Sequence, residues 1–146
     1  MDIGGATAGT YTLGDADVGA AISVKVSYTD AHGTPESATS AATAVVVNVN
    51  DVGAVNITGV ATQGQILTAV ASDADGLGTI SYQWQEGGID IGGATASTLL
   101  LTEAQVGKLI TVNASYTDAH GTPESVTSAA SAAVANVNDP LTGAVT

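Results

Sequence analysis

Aspartate, histidine and serine stand close together twice in this sequence, each time within one short stretch: Asp30, His32 and Ser37, and again Asp118, His120 and Ser125. These three residue types form the catalytic triad of serine hydrolases. A triad, however, draws its members from separate elements and needs an oxyanion hole beside the nucleophile. Here each set shares a single predicted turn. We therefore interpret both sets as turn residues and predict that the chain is not an enzyme.

Carboxylates dominate the charged groups. The net charge is -12, and Lys25 and Lys108 are the only basic residues. Binding of nucleic-acid phosphates or of anionic lipid needs clustered lysine and arginine, so neither partner is expected. No stretch reaches the ~20 apolar residues of a membrane helix, and the start of the sequence lacks the pattern of a signal peptide. Carboxylate oxygens are the ligands that calcium prefers, so divalent-cation binding is the chemistry to examine.

A long stretch of the sequence occurs twice, at an offset of 88 residues. Residues 2–8 recur as 90–96, and residues 28–37 recur as 116–125. About 35 of the 50 aligned positions are identical. Self-similarity at a fixed period is typical of an array of like units. The chain is therefore predicted to contain three pieces: the C-terminal half of a preceding repeat (1–50), a complete repeat (51–138) and the start of the next (139–146).

The hydrophobic pattern of the complete repeat is that of β-strands. Ile80, Tyr82 and Trp84 alternate with polar residues, which is typical of a strand with one buried face. A period of 88 residues suits a seven-stranded sandwich and is too long for a helical solenoid. We predict an all-β fold, an antiparallel immunoglobulin-like β-sandwich in tandem repeats, with Trp84 in the core. Its strands, lettered A, B, C, E, F and G, are expected near 54–59, 65–72, 79–86, 97–102, 109–117 and 124–137.

Several short motifs of the chain carry a family resemblance: 11–19 in the half repeat, and 61–68, 73–78, 80–85, 106–108 and 116–118 in the complete one. As a set they resemble the immunoglobulin-like tandem repeats of giant bacterial RTX adhesins, which type I secretion exports. The resemblance implies a non-catalytic extender that holds an adhesive tip away from the bacterial surface. It also implies an extracellular location and calcium between neighbouring repeats of the chain. The glycine-rich nonapeptide for which RTX proteins are named does not occur in this sequence.

Predicted loops at one end of the sandwich are rich in carboxylates. In an immunoglobulin topology the start of strand A, the B–C loop and the F–G loop share that end. Stacking of repeats would bring the E–F loop of the preceding repeat to the same junction. Calcium takes roughly six to eight oxygen ligands, although aspartate and asparagine also occur in loops simply because they form turns. We predict calcium at the 50–51 junction, with Asp51, Asp73, Asp75 and Asp118 as ligands from one repeat and Asp15 and Asp17 as ligands from the preceding one. Asn50 and Asp139 are further candidate metal ligands.

Two details qualify the predicted calcium sites. Asp15 and Asp17 become Glu103 and Gln105 in the second copy, so the site at the 138–139 junction should be weaker. Residues 73–76 resemble the opening of an EF-hand loop, but the twelfth position is a tryptophan rather than glutamate, which excludes an EF-hand. The Asn-Val-Asn-Asp sequences at the two junctions also resemble the calcium-binding linker of cadherins.

Two other functions stay open. A carbohydrate-binding module of a secreted enzyme would need an exposed aromatic platform, and the chain has one tryptophan, four tyrosines and no phenylalanine. A self-assembling extracellular fibre subunit is the second, because the half repeat has strands E, F and G without A, B and C, and unpaired strand edges invite another chain. We therefore predict a homo-oligomer. In it, symmetric pairing or exchange of strands covers the apolar face of whichever copy is left without A, B and C: either Ile22, Val24 and Val26, or their counterparts Ile110, Val112 and Ala114.

Overall fold

The structure is a computed structural model that describes residues 1–140 and 143. Within these residues the regular elements are nine β-strands and two short 3₁₀ helices, so the prediction of an all-β chain is confirmed. No helix in the described part is long and apolar enough to cross a membrane. The chain divides into two compact units, Met1–Val49 and Asn50–Thr146, which are treated one at a time.

The first unit is a hairpin preceded by a single 3₁₀ turn, Asp15–Asp17. Strand β1 (Lys25–Thr29) pairs antiparallel with β2 (Pro35–Thr39), and every residue of both strands is exposed. The tight connection is closed by Asp30, whose carboxylate accepts hydrogen bonds from the backbone amides of residues 32 and 34. Asp17 is the one buried residue of this unit. Its two strands therefore form without an apolar core of their own.

The second unit contains two antiparallel sheets. Its strands are β3 (Ala54–Thr58), β4 (Ile66–Ser72), β5 (Ser81–Glu86), β6 (Ile89–Asp90), β7 (Thr98–Leu100), β8 (Ile110–Thr117) and β9 (Pro123–Thr127), with a 3₁₀ helix at Glu103–Gln105. One sheet has the order β3-β4-β7 and the other β6-β5-β8-β9. Alternate residues of strands in both sheets are buried, which is the arrangement expected of two layers with a shared interior.

The core of the second unit is built around Trp84. Its side chain is 0% exposed, and its indole nitrogen donates to the carbonyl of Ala96 at 2.8 Å. Strand β8 alternates strictly between buried and less buried positions. The other core side chains come from both sheets and their flanks: Val55, Leu67, Ala69, Leu99, Leu101, Ile110, Val112, Ala114 and Val134. The prediction that Trp84 lies in the core is confirmed.

Strands A, B, C, E and F were predicted where β3, β4, β5, β7 and β8 lie, within a few residues at each end. The last predicted strand, 124–137, is wrong in extent, since β9 ends at Thr127. Beyond it the hydroxyls of Ser128 and Ser131 accept from the amides of Val112 and Ile110. From Ser128 to Ser131 the chain advances three residues, whereas the paired residues of β8, Val112 and Ile110, are only two apart. The segment after β9 therefore bulges, and regular strand pairing stops.

The two-residue strand β6 was not anticipated. It follows β5 directly through Gly87 and Gly88, which have φ angles of +57° and +83°. Two consecutive residues with positive φ are what a type I′ hairpin turn requires, and glycine adopts them without strain. The Gly-Gly pair was therefore a signal in the sequence for this short hairpin.

Candidate metal centre

The acidic residues of the second unit gather where three chain segments meet. The segment before β3, the turn after β4 and the β8–β9 hairpin all lie at one end of the two sheets. Ala54 pairs with Ser72 at the start of β3, and the amide of Ala119 in the hairpin donates to the carbonyl of Asp75. Gly53 permits this approach. A Cβ atom there would lie 1.7 Å from the Tyr116 hydroxyl and 2.9 Å from an Asp73 carboxylate oxygen.

The turn after β4 directs two aspartates into this region. Asp73 accepts from the backbone amide of Asp75 at 2.8 Å, a local hydrogen bond typical of aspartate in turns. Asp75 in turn accepts from the amide of Asp51 at 2.8 Å, and its side chain is fully buried. Carboxylate oxygens of Asp51 and Asp75 lie within 4.8 Å of each other. Two negative groups are thus held close together, one of them away from water.

Asp118 occupies the first position of the β8–β9 hairpin and is also buried. Its Oδ1 accepts from the amides of His120 and Thr122, both at 2.8 Å. Burial raises the pKa of this carboxyl, but the backbone hydrogen bonds from Thr122 and His120 outweigh burial, and the pKa ends below its ordinary value. Its other oxygen, Oδ2, is buried and has no hydrogen-bond partner among the described residues. An ionised carboxylate therefore presents a bare oxygen inside the cluster.

Glu124 and Tyr116 complete the arrangement, and neither was named as a candidate ligand. Glu124 accepts from the amide of Gly53 and from the side chain of Asn50, both at 2.7 Å. Those two bonds are the main reason that its pKa is lowered. The Tyr116 hydroxyl donates to Asp73 at 2.6 Å and to Glu124 at 3.2 Å. Burial and these two carboxylate partners hold the pKa of Tyr116 well above its usual value.

The cost of burying these carboxylates depends on the charges and hydrogen bonds around them. His120 is one neighbour that can carry a positive charge, and its Nδ1 lies 3.6 Å from a carboxylate oxygen of Asp75. Burial of an ionised carboxylate is costly unless an opposite charge or several hydrogen bonds compensate for it. A bound cation would supply that charge.

No protein-family model matches this chain. Searches of curated proteins and of solved structures likewise found no match. The resemblance to adhesin repeats therefore stays a prediction, and the chemistry of the cluster has to be judged from its own residues.

The donor set fits a hard divalent cation. The groups that converge in the second unit are carboxylates and an amide, and calcium prefers oxygen donors of this kind. The buried oxygen of Asp118 and the enclosed carboxylate of Asp75 are the groups that would gain most from a bound ion. Asp51 would supply a third, exposed carboxylate. These residues would hold calcium, and the ion would stabilise the folded structure rather than take part in a reaction.

The remaining predicted ligands are Asp15 and Asp17, which belong to the first unit, and Asp139, which belongs to the second. Asp139 is near Gln63, whose side chain donates to it at 3.3 Å, at the end of the second unit where β4 begins. Asp15 is exposed on the 3₁₀ turn of the first unit. Asp17 on the same turn is buried, and its carboxylate accepts from the amide of Gly14 and from the Tyr11 hydroxyl. That Asp15, Asp17 and Asp139 are metal ligands stays a prediction.

Asp17 and its counterpart Gln105 perform the same structural task. Asp17 accepts from the amide of Gly14 at 2.9 Å, and Gln105 accepts from the amide of Thr102 at 3.0 Å. Both side chains close a 3₁₀ turn, and the positions are 88 residues apart. A neutral amide oxygen serves this purpose as well as a carboxylate. Capping needs an oxygen acceptor but no charge, so this structural role is kept although the charge at this position differs between the two copies.

The residues considered above for hydrolase chemistry and for sugar binding make other contacts in the structure. Ser125 Oγ exchanges hydrogen bonds with the Asn113 side chain, and Asp118 Oδ1 binds backbone amides rather than an imidazole. The hydrogen bonds of the described residues therefore give no sign of an assembled triad around His120. Trp84 is enclosed in the core, so it offers no platform on which a sugar ring could stack.

Proposed function

We propose that this chain is a non-catalytic spacer of an extracellular bacterial surface adhesin, made of immunoglobulin-like repeats that calcium stabilises. The internal repetition of 88 residues supports a modular array. The acidic cluster of the second unit supports the calcium. The adhesin setting and the location at the cell surface rest on the sequence resemblance alone.

The sheet order supports the immunoglobulin-like assignment. With the strands lettered as in the sequence, β3, β4 and β7 correspond to A, B and E, and β5, β8 and β9 correspond to C, F and G. Strand C then carries the buried tryptophan, and strands F and C are central neighbours, as in immunoglobulin sandwiches. The short β6 adds an edge next to C.

The observation that carries the calcium proposal is the pair of buried carboxylates, Asp75 and Asp118. Both side chains are buried, and the two turns that carry them are in contact, because the amide of Ala119 donates to the carbonyl of Asp75 at 3.2 Å. Burial of ionised carboxylates is destabilising because it removes their charge from water, and a divalent ion bound beside them offsets that cost. An ion that binds only the folded state stabilises it by about 2.7 kcal/mol at a hundred times its dissociation constant.

Calcium binding can be tested with a matched pair of variants. Asp118→Asn keeps the Oδ1 acceptor of the turn and removes the charge. Asp30→Asn makes the same change in the equivalent turn of the first unit. We expect calcium to raise the unfolding midpoint of the wild type. The Asp118 variant should bind at least about tenfold more weakly, a loss of roughly 1.4 kcal/mol.

The readouts are calorimetric titration and thermal unfolding followed by Trp84 fluorescence, in millimolar calcium and in chelator. Asp30→Asn should leave the Trp84 transition and its calcium response unchanged. A wild-type midpoint that is the same in calcium and in chelator would contradict the proposal. So would an equal calcium response in the two variants.

A further inference from the structure

The first unit exposes a row of apolar side chains along strand β1 and the residue that precedes it. We call this row the β1 face and define it as Val24, Val26 and Tyr28. Their exposed fractions are 58%, 52% and 55%. An exposed row of large apolar side chains beside an unpaired strand edge is the usual signature of a surface that binds another polypeptide.

The second unit contains the same face with its partner in place. Val112, Ala114 and Tyr116, each 88 residues further along, have exposed fractions of 0%, 0% and 6%. The strand that carries them, β8, pairs with β9 on one side and with β5 on the other. Across the interior, Val55, Leu67 and Ala69 of β3 and β4 belong to the same core cluster.

The contrast between the two copies identifies what the β1 face lacks. Strand β1 pairs with β2 in the same register in which β8 pairs with β9, so the hairpin itself is already formed. The missing elements are the equivalents of β3, β4 and β5. Residues 10–12, the counterparts of β7, also form no strand, and in the second unit β7 pairs with β4.

We propose that the β1 face is an acceptor for a polypeptide segment with the sequence pattern of residues 51–89, the first half of a repeat. The segment adds its third strand antiparallel to β1 and packs its first two strands over the apolar row. The pairing follows the register of β5 with β8. Trp84 of the segment therefore lies opposite Val24, Tyr82 opposite Val26 and Ser81 opposite Ser27, as they do with Val112, Ala114 and Ser115.

Polar groups at the end of the β1 face match the same segment. Tyr28 already donates a hydrogen bond to Glu36, as Tyr116 does to Glu124. In the second unit the tyrosine hydroxyl also donates to Asp73, a residue of the segment. One position fits less well, because Val26 is larger than its buried counterpart Ala114. Val26→Ala should therefore strengthen binding several-fold.

The register can be tested by cross-linking, since the chain has no cysteine. Directly opposed residues of an antiparallel pair have Cα atoms about 4.5–5.5 Å apart, within the range of a disulfide. The full chain carrying Ser27→Cys is mixed with a synthetic segment of residues 51–89 carrying Ser81→Cys. The off-register control segment carries Gln83→Cys, which faces the same side two residues away. We expect the Ser81 segment to cross-link at least about tenfold faster, even in chelator.

A matched pair of variants tests the apolar row. Val24→Asp places a charge in the face and should abolish cross-linking. Val47→Asp makes the same change at an exposed valine of the first unit outside the face, and should leave the rate unchanged. The binding depends on strand addition and burial alone, so it is independent of calcium.

Several results would overturn the proposal. One is equal cross-linking of the Ser81 and Gln83 segments. Another is a Ser27→Cys disulfide between two copies of the chain that the segment does not displace, because the face would then be covered by symmetric pairing. If no cross-link forms in solution, a second copy of residues 51–89 is joined directly before Asp2, which recreates the 89–90 connection. Unprotected β1 amides in that fusion would overturn the proposal.

Discussion

The hydroxyl of Tyr116 occupies the space that a side chain at residue 53 would need. It lies between the carboxylates of Asp73 and Glu124, and the backbone amide of Gly53 completes the contacts of Glu124. Three segments that are distant in sequence are thereby tied together at one end of the second unit. A single methyl group at residue 53 would therefore disturb the whole acidic cluster.

Gly53→Ala should lower both the stability and the calcium affinity of the second unit. Its Cβ would lie 1.7 Å from the Tyr116 hydroxyl, so the tyrosine has to move and its bonds to the carboxylates break. Gly92→Ala is the control, because a Cβ at that glycine meets nothing within 4 Å. Chemical unfolding and calcium titration of the two variants provide the measurement. Equal behaviour of the two would show that the close approach at residue 53 is unimportant.

Trp84 is the residue on which the core of the second unit depends most. Trp84→Ala removes a side chain that is 0% exposed and should cost about 3–5 kcal/mol in the free energy of unfolding. Trp84→Phe keeps an aromatic ring but loses the hydrogen bond to Ala96, so it should cost less. Urea unfolding followed by far-UV circular dichroism gives both values. A loss below about 1 kcal/mol for the alanine variant would be inconsistent with the core described above.

At the scale of elements, identical sequence segments have different environments. Residues 27–37 and 115–125 are identical. In one unit they form an exposed two-stranded hairpin, and in the other they belong to a four-stranded sheet. The local turn is the same, because Asp30 and Asp118 each accept hydrogen bonds from two backbone amides within the turn. Only the neighbours differ.

Hydrogen exchange should separate the two hairpins. Amides of β8 lie in a central, buried strand and should exchange only through extensive unfolding of the second unit. Amides of β1 lie in an exposed two-stranded hairpin and should exchange faster by at least about two orders of magnitude, because such a hairpin is marginally stable in water. Mass spectrometry of peptides covering the two strands makes the comparison within one sample. Equal protection would mean that the first unit has a partner in solution.

At the scale of the molecule, the stability of the fold depends on pH through its carboxylates and Tyr116. The chain carries a net charge of -12, and the buried carboxylates of Asp75 and Asp118 lie at one end of the second unit. The folded-state pKa values of Asp118 and Glu124 are lowered from 3.8 and 4.5. Groups of this kind stabilise the fold fully above their unfolded-state pKa values, and the contribution disappears as pH falls through the lower folded-state values. Tyr116 behaves in the opposite way, because its pKa is raised.

The stability of the second unit should therefore have a broad maximum near neutral pH in chelator. It should fall as pH drops below about 4.5, when the carboxylates protonate, and fall again above about pH 10, when the tyrosine ionises more readily in the unfolded state. Unfolding midpoints from Trp84 fluorescence between pH 3 and pH 11 would show both limbs. Tyr116→Phe should flatten the alkaline limb and leave the acidic one in place. A profile without either limb would contradict the linkage.

The amino-acid sequence by itself was sufficient for much of the second unit. Period-two alternation predicted the strands and the burial of Trp84, because side chains of a strand face opposite sides in turn. The topology assigned to those strands also placed Asp51, Asp73, Asp75 and Asp118 at one end. The structure places them there, within the second unit.

Only the tertiary structure decided the remaining features. The involvement of Gly53, Tyr116 and Glu124 depends on a close approach between segments far apart in sequence, which no local pattern records. β9 ends early because the hydroxyls of Ser128 and Ser131, rather than backbone carbonyls, accept hydrogen bonds from amides of the neighbouring strand β8. The exposure of Val24 against the burial of Val112 is the clearest case. The two valines have similar surroundings in the sequence, but burial is a property of what packs against a strand, and only one of them has partner strands to cover it.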